Sequence, residues 1–162
     1  MHLKTVIAIA LGASLALPAV AGEKRIKKSD VPNTVLAAVT AKYPKADMTG
    51  FAQEEEAGKT VYEVQLKVSG TRTDLIVSRE GRILTEEKTI SMKELPDVVR
   101  QGLSTSRYSK ARVLKIEKVT ESDKEEAPTY EFLVEHDRKR HELVFSSTGE
   151  LMKEEAKNRG EH

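Results

Sequence analysis

The chain is 162 residues long, a third of them charged and none of them cysteine. Its basic and acidic residues nearly cancel, so it lacks the basic excess a nucleic-acid binder uses against phosphate. The missing cysteines exclude a disulfide framework, thiolate chemistry and a lipid-modified cysteine at the N-terminus.

Residues 1–21 read as a secretory signal peptide. Lys4 provides a short positive start, Thr5 to Leu17 an apolar run, and Ala19-Val20-Ala21 a small-x-small cleavage site before Gly22. That run is shorter than the roughly 20 residues a membrane-spanning helix needs, and no later stretch is apolar enough to span. Residues 22–30 form a basic linker containing Lys24, Arg25, Lys27 and Lys28.

A first repeat is expected over residues 31–90. Val31-Pro32 opens a helix, with Pro32 as its first residue and Ser29 or Asp30 near enough to cap it. Val35, Leu36, Val39 and Tyr43 recur at helical spacing until Pro44 ends the element. An extended stretch follows over Ala46 to Glu54. Then Tyr62, Val64, Leu66 and Val68 alternate with Glu63, Gln65 and Lys67, the period of a half-buried strand. Ser69 to Arg72 is read as the turn, which pairs Val68 with Thr73, Leu66 with Leu75 and Val64 with Val77. Gly81 supplies a second turn, and Ile83-Leu84 a short last strand.

The same pattern returns over residues 91–156. Tyr62 to Leu84 aligns without a gap on Tyr130 to Met152, matching Tyr62 with Tyr130, Glu63 with Glu131, Arg72 with Arg140, Leu75 with Leu143, Ser78 with Ser146 and Gly81 with Gly149. Here Leu95-Pro96 opens the helix, expected to end near Tyr108, and Ala111 to Val119 is the extended stretch. A capping box at Ser91 to Glu94 is set aside, because a helix starting there would hold Pro96 in its interior. The hairpin pairs Val134 with Leu143 and Phe132 with Phe145. Residues 157–162 are a charged tail. The fold expected is thus α+β, a tandem repeat of a helix followed by about four antiparallel strands, with the helices on one sheet face.

Val31-Pro32, Val39, Lys42-Tyr43-Pro44, Ala46, Tyr62-Glu63-Val64 and the Gly81 turn resemble the PepSY-like domain and its relatives named after β-lactamase inhibitory proteins. The second repeat departs from the pattern, since no proline follows Tyr108. The resemblance implies an extracytoplasmic protein of tandem modules with a non-catalytic role, binding or restraining proteins, peptidases among them.

Enzyme signatures are missing: there is no HExxH, GxSxG or Gly-rich phosphate loop. No catalytic residue, cofactor or metal site is assigned. His136 and His141 are the weak metal candidates, facing each other at the hairpin tip without a third ligand on their face. The protein-binding candidates are Ile76, Leu133 and Val144, apolar where alternation on the outer sheet face asks for polar residues. The function expected is a secreted or periplasmic binding protein that acts on a peptidase or other envelope protein, with no nucleic acid and no stable membrane span. The alternative is a small-ligand or metal-sensing module using a pocket between the repeats or the histidine pair.

Overall fold

The computed structural model describes residues 24–56, 58–122 and 127–157. The expected signal peptide lies outside them, as does most of the expected tail. Lys157, the first residue of that tail, ends a strand and is buried.

Nine strands run in sequence order through one antiparallel sheet: β1 (Lys24–Arg25), β2 (Asp47–Glu56), β3 (Lys59–Val68), β4 (Thr71–Ser78), β5 (Ile83–Thr89), β6 (Arg112–Glu121), β7 (Thr129–His136), β8 (Lys139–Phe145) and β9 (Leu151–Lys157). Two short helices, α1 (Asn33–Lys42) and α2 (Asp97–Thr105), interrupt the series. The expected tandem of helix-plus-four-strand units is therefore corrected to one continuous sheet that carries two helices. The join is β5. It runs seven residues rather than two and pairs with β6 from Thr85↔Glu121 to Thr89↔Glu117. An unpaired β5 edge would leave a row of backbone groups without partners. Within the basic segment at residues 22–30, Lys24 and Arg25 pair with Gln53 and Ala52 as β1.

Both helices lie on one face of the sheet, over separate cores. Val35 and Val39 of α1 pack with Tyr62, Val64, Leu66, Leu75 and Val77. Val99 and Leu103 of α2 pack with Tyr108, Ile116, Phe132, Leu143 and Phe145. Between the cores β5 and β6 turn Glu86, Lys88, Lys118 and Thr120 to this face. Lys42 Nζ lies 2.5 Å from Glu86, and Tyr43 donates its hydroxyl hydrogen bond to the same carboxylate at 2.8 Å. Burial, and then Glu86, push the Tyr43 phenol up to about 12.

Each helix begins one residue later than the sequence implies. Pro32 and Pro96 are extended residues at the N-cap, with φ of −56° for both. Asp30 closes a 3-10 turn at Lys28–Asp30, and the Ser91 to Glu94 capping box builds another at Met92–Glu94. That box and the proline therefore both act, on successive elements.

Alternation assigns the strand faces correctly, but the hairpin registers move by two residues. Val68 pairs with Thr71, Leu66 with Thr73 and Val64 with Leu75. In the second hairpin Phe132 pairs with Leu143 and Val134 with His141. The connections are two-residue turns with positive φ, Ser69-Gly70 and Asp137-Arg138, the backbone that matches the twist of the flanking strands. A shift of two preserves the faces, so Phe132 and Phe145 still meet, edge to face at 5.3 Å between ring centroids.

The glycine turns between paired strands are also where the helices dock. Thr34 Oγ1 donates to the Arg79 carbonyl at 2.6 Å, beside Gly81. A Cβ on Gly149 would overlap the Val98 carbonyl, and one on Gly102 would overlap the Gly149 carbonyl.

Phe132 is fully buried, so Phe132→Ala is expected to cost about 3–5 kcal/mol. Denaturant melts that show a loss below about 1 kcal/mol would mean the packing under α2 is wrong.

Candidate functional site

The helix-free face collects most of the polar alternates of the strands, together with buried Ala52, Val61 and Val119. Ile76 stands between Glu63 and Thr85, Leu133 between Lys115 and Glu142, and Val144 between Glu131 and Lys153. The three apolar candidates thus share this face, though not equally. Ile76 and Leu133 are half-buried, whereas Val144 is 3% exposed.

Alternation in the sequence puts Asp74, Glu131 and Glu142 on this same face, but it does not show the acids they meet there. Asp74 lies across from Glu87, Glu117 across from Glu131, and Glu142 across from Glu155. Like charges directly opposite destabilise a sheet, so each pair needs compensation. Most of it comes from two residues along the same strand: Arg72 reaches Asp74 at 2.8 Å, Lys115 reaches Glu117 at 2.9 Å, and Lys153 reaches Glu155 at 3.1 Å. Lys157, itself buried, reaches Glu142 at 3.2 Å. Side chains on adjacent strands stand about 5 Å apart, and on a twisted sheet they shield one another. Asp74, Glu117, Glu131 and Glu142 are accordingly buried with no helix above them.

Glu131 is the exception to the compensation. Burial first, then the negative charges of Glu87, Glu142 and Glu117, push its carboxyl up to about 9, with Lys115 opposing. No hydrogen bond or ion pair reaches that carboxyl among the described residues. The signal for this cluster was present as acids on the polar face of otherwise apolar strands. It became legible only once the register joined strands distant in sequence.

The histidines meet around Tyr108 and not across a rung. His136 pairs with Lys139 and His141 with Val134, and their rings lie 6.5 Å apart. Both rings contact Tyr108, whose hydroxyl is 3.2 Å from His141 Nδ1. Arg107 holds the Tyr108 hydroxyl at 3.3 Å and also pairs with Glu154. Burial raises the Tyr108 phenol. The arrangement packs the end of α2 against the β7–β8 turn.

The alternative reading needs a pocket between the two cores. A depression of about 340 Å³ lies there, lined by Glu86, Lys88, Ile90, Glu94, Lys118, Thr120 and Tyr130. Its lining is mainly ionic, whereas small-molecule sites are mostly apolar with a few placed polar groups.

The family model described as "Putative beta-lactamase-inhibitor-like, PepSY-like" matches residues 20–85 and 83–153. Among solved structures, a protein from Bacteroides eggerthii described as "putative periplasmic" is similar at 18% identity and a TM-score of 0.67, over 78% of this chain and 88% of the other. A BLIP-like protein from Bacteroides fragilis is similar at 21% identity and a TM-score of 0.63, over 81% of this chain and 92% of the other. At these identities the likeness is one of fold. No curated protein matches.

Because the Glu131 pKa is raised from 4.5 to about 9, the native state keeps a proton that the unfolded state loses across that window. This contribution is complete below about pH 4.5 and is lost progressively up to about pH 9, by at most about 1.4 kcal/mol per pH unit. Glu131→Gln is expected to be more stable than the parent at pH 8, with the difference closing as pH falls. A difference that stays constant with pH would show that Glu131 is not the group responsible.

Proposed function

The chain belongs to the β-lactamase-inhibitor-like, PepSY-like family, and from that premise we propose that it is an exported, non-catalytic binding protein whose helix-free sheet face engages a protein of the cell envelope. The observation that carries this reading is the face itself. Both helices pack on the other side, while here half-buried Ile76 and Leu133 stand among paired charges. Apolar groups held on rigid strands and ringed by polar ones are the usual anchors of a protein interface. The family's description as β-lactamase-inhibitor-like supports a binding role, and the fold neighbour described as a putative periplasmic protein is in keeping with export. A partner restrained in the envelope, a peptidase for example, fits this reading, with Val144 on the same face but too buried to serve as an exposed anchor. Among the described residues no helix is long and apolar enough to cross a membrane.

Export is tested by N-terminal sequencing of the protein recovered outside the cytoplasm. Cleavage after Ala21 is expected, and an intact Met1 would contradict it.

Binding is tested with the mature protein as bait for envelope extract, followed by titration of whatever partner is recovered. Leu133→Asp and Ile76→Asp are expected to weaken that complex tenfold or more while circular dichroism stays native. Replacing His136 and His141 by Ala should leave it unchanged, since those rings lie on the helix side. Equal affinity in the Asp variants would place the interface elsewhere.

A further inference from the structure

We propose that β9, the last strand of the sheet, pairs antiparallel with β9 of a second copy of this chain, joining two molecules into one sheet about a two-fold axis at Glu154. The inference goes beyond the protein-binding reading and does not need it, since it concerns an edge of the sheet and not a face.

β9 is the same strand as β5, one repeat later. The alignment of the repeats carries Ile83–Thr89 onto Leu151–Lys157. Each strand opens on a bulge. Each also turns a glutamate to the helix side, where residues closing a helix hold it: Glu86 by Lys42 and Tyr43, Glu154 by Arg107 and Tyr108. The outer edge of β5 is paired with β6 from Thr85 to Thr89. The matching edge of β9 runs from Lys153 to Lys157, and among the described residues β8 is the only strand paired with it. Its outward N–H and C=O groups are the usual template for strand addition.

Two features select a second β9 as the occupant. Repeating the β5–β6 seam between molecules would lay β9 on β2 of the next copy, but β1 and Ile26 already occupy the outer edge of β2 at Phe51, Ala52 and Gln53. Such a head-to-tail contact would also build an open filament, whereas β9 on β9 closes at two.

Charge is the second feature. A two-fold axis normal to the sheet keeps the helix-free faces on one side, so it must pass through a residue and not between two. Centred on Lys153 or Glu155, that residue would face its own copy as a like charge. Centred on Glu154, Lys153 of each chain faces the partner's Glu155 on the helix-free side. Lys153 and Glu155 already pair at 3.1 Å within the chain, so the dimer completes a square of alternating charge. Glu154 meets its own copy on the helix side, but Arg107 balances it. Centring on Ala156 would call on Lys157, whose side chain is buried against Glu142. In the chosen register exposed Met152 comes beside the partner's exposed Ala156.

The test uses the mature protein in sedimentation velocity from about 1 μM to 1 mM, the range of weak to moderate affinity. A reversible monomer–dimer equilibrium is expected. Lys153→Glu should weaken it about tenfold or more by setting acids against the partner's Glu155, and adding Glu155→Lys should restore it. The chain has no cysteine, so Glu154→Cys introduces a single thiol. Two such thiols across the axis have Cα atoms about 5 Å apart, within disulfide reach, and mild oxidation should cross-link them. Ala156→Cys is displaced from its own copy by four residues along the strands, about 13 Å, and should not cross-link. A monomer throughout the range would overturn the proposal and leave this edge to a different chain. Cross-linking by Ala156→Cys as fast as by Glu154→Cys, or a dimer indifferent to Lys153→Glu, would overturn it too. If Lys153→Glu fails to fold, the two cysteine variants carry the test. None of these results bears on Ile76 or Leu133, so the protein-binding reading stands or falls separately.

Discussion

The pairing of β5 with β6 is the constraint from which the rest of this molecule follows. It joins two helix-covered cores along a backbone ladder whose side chains on the helix side, Glu86, Lys88, Lys118 and Thr120, are polar and belong to neither apolar core. On the opposite side the same pairing brings Glu87 beside Glu117. One set of hydrogen bonds thus creates both a continuous sheet and the crowding of acids at its centre. Without it Asp74 and Glu131 would belong to different objects.

That crowding gives the two faces different physics. The helix side is stabilised by apolar burial of ordinary kind, with Phe132, Phe145, Leu66 and Leu75 removed from water. On the helix-free side, buried charges face like charges, balanced by Arg72, Lys115, Lys153 and Lys157. Buried ion pairs gain little net stability against their desolvation cost. They impose instead a fixed pattern of charge that a partner must match. The half-buried Ile76 and Leu133 are set into that pattern, and any surface that covers them must also satisfy the acids around them.

Much of the architecture was legible in the sequence, and what was not has identifiable causes. Alternation from Tyr62 to Val68 and from Tyr130 to His136 located the strands and their faces. The register slipped because Ser69 to Arg72 was read as the turn, whereas the chain turns on two residues, Ser69-Gly70 and Asp137-Arg138, three of the four being non-glycines at positive φ, so the tightest connection did not look like one. The strand β5 was cut short for a different reason. Its Glu86 and Glu87 face opposite sides, one held by α1 and the other by the acidic cluster, and a strand with charge on both faces shows no alternation. Truncating β5 removed the seam and with it the single sheet. The histidines were recognised as neighbours, but their contact with Tyr108 was not, because it depends on how the segment after α2 packs on the sheet, which spacing along the chain does not specify.

The close approach of Gly102 to Gly149 has a consequence for how this chain tolerates change. Each glycine leaves room for backbone at the same junction: Gly149 for the Val98 carbonyl, and Gly102 for the carbonyl of Gly149. A methyl group at either position forces α2 away from the β8–β9 turn. Once the helix has lifted, a methyl at the other position meets much less resistance. The two sites are therefore energetically coupled, and the double substitution should cost less than the sum of the single ones. Sequences that drift at one of these glycines are released to drift at the other, so the pair is expected to be kept together or lost together.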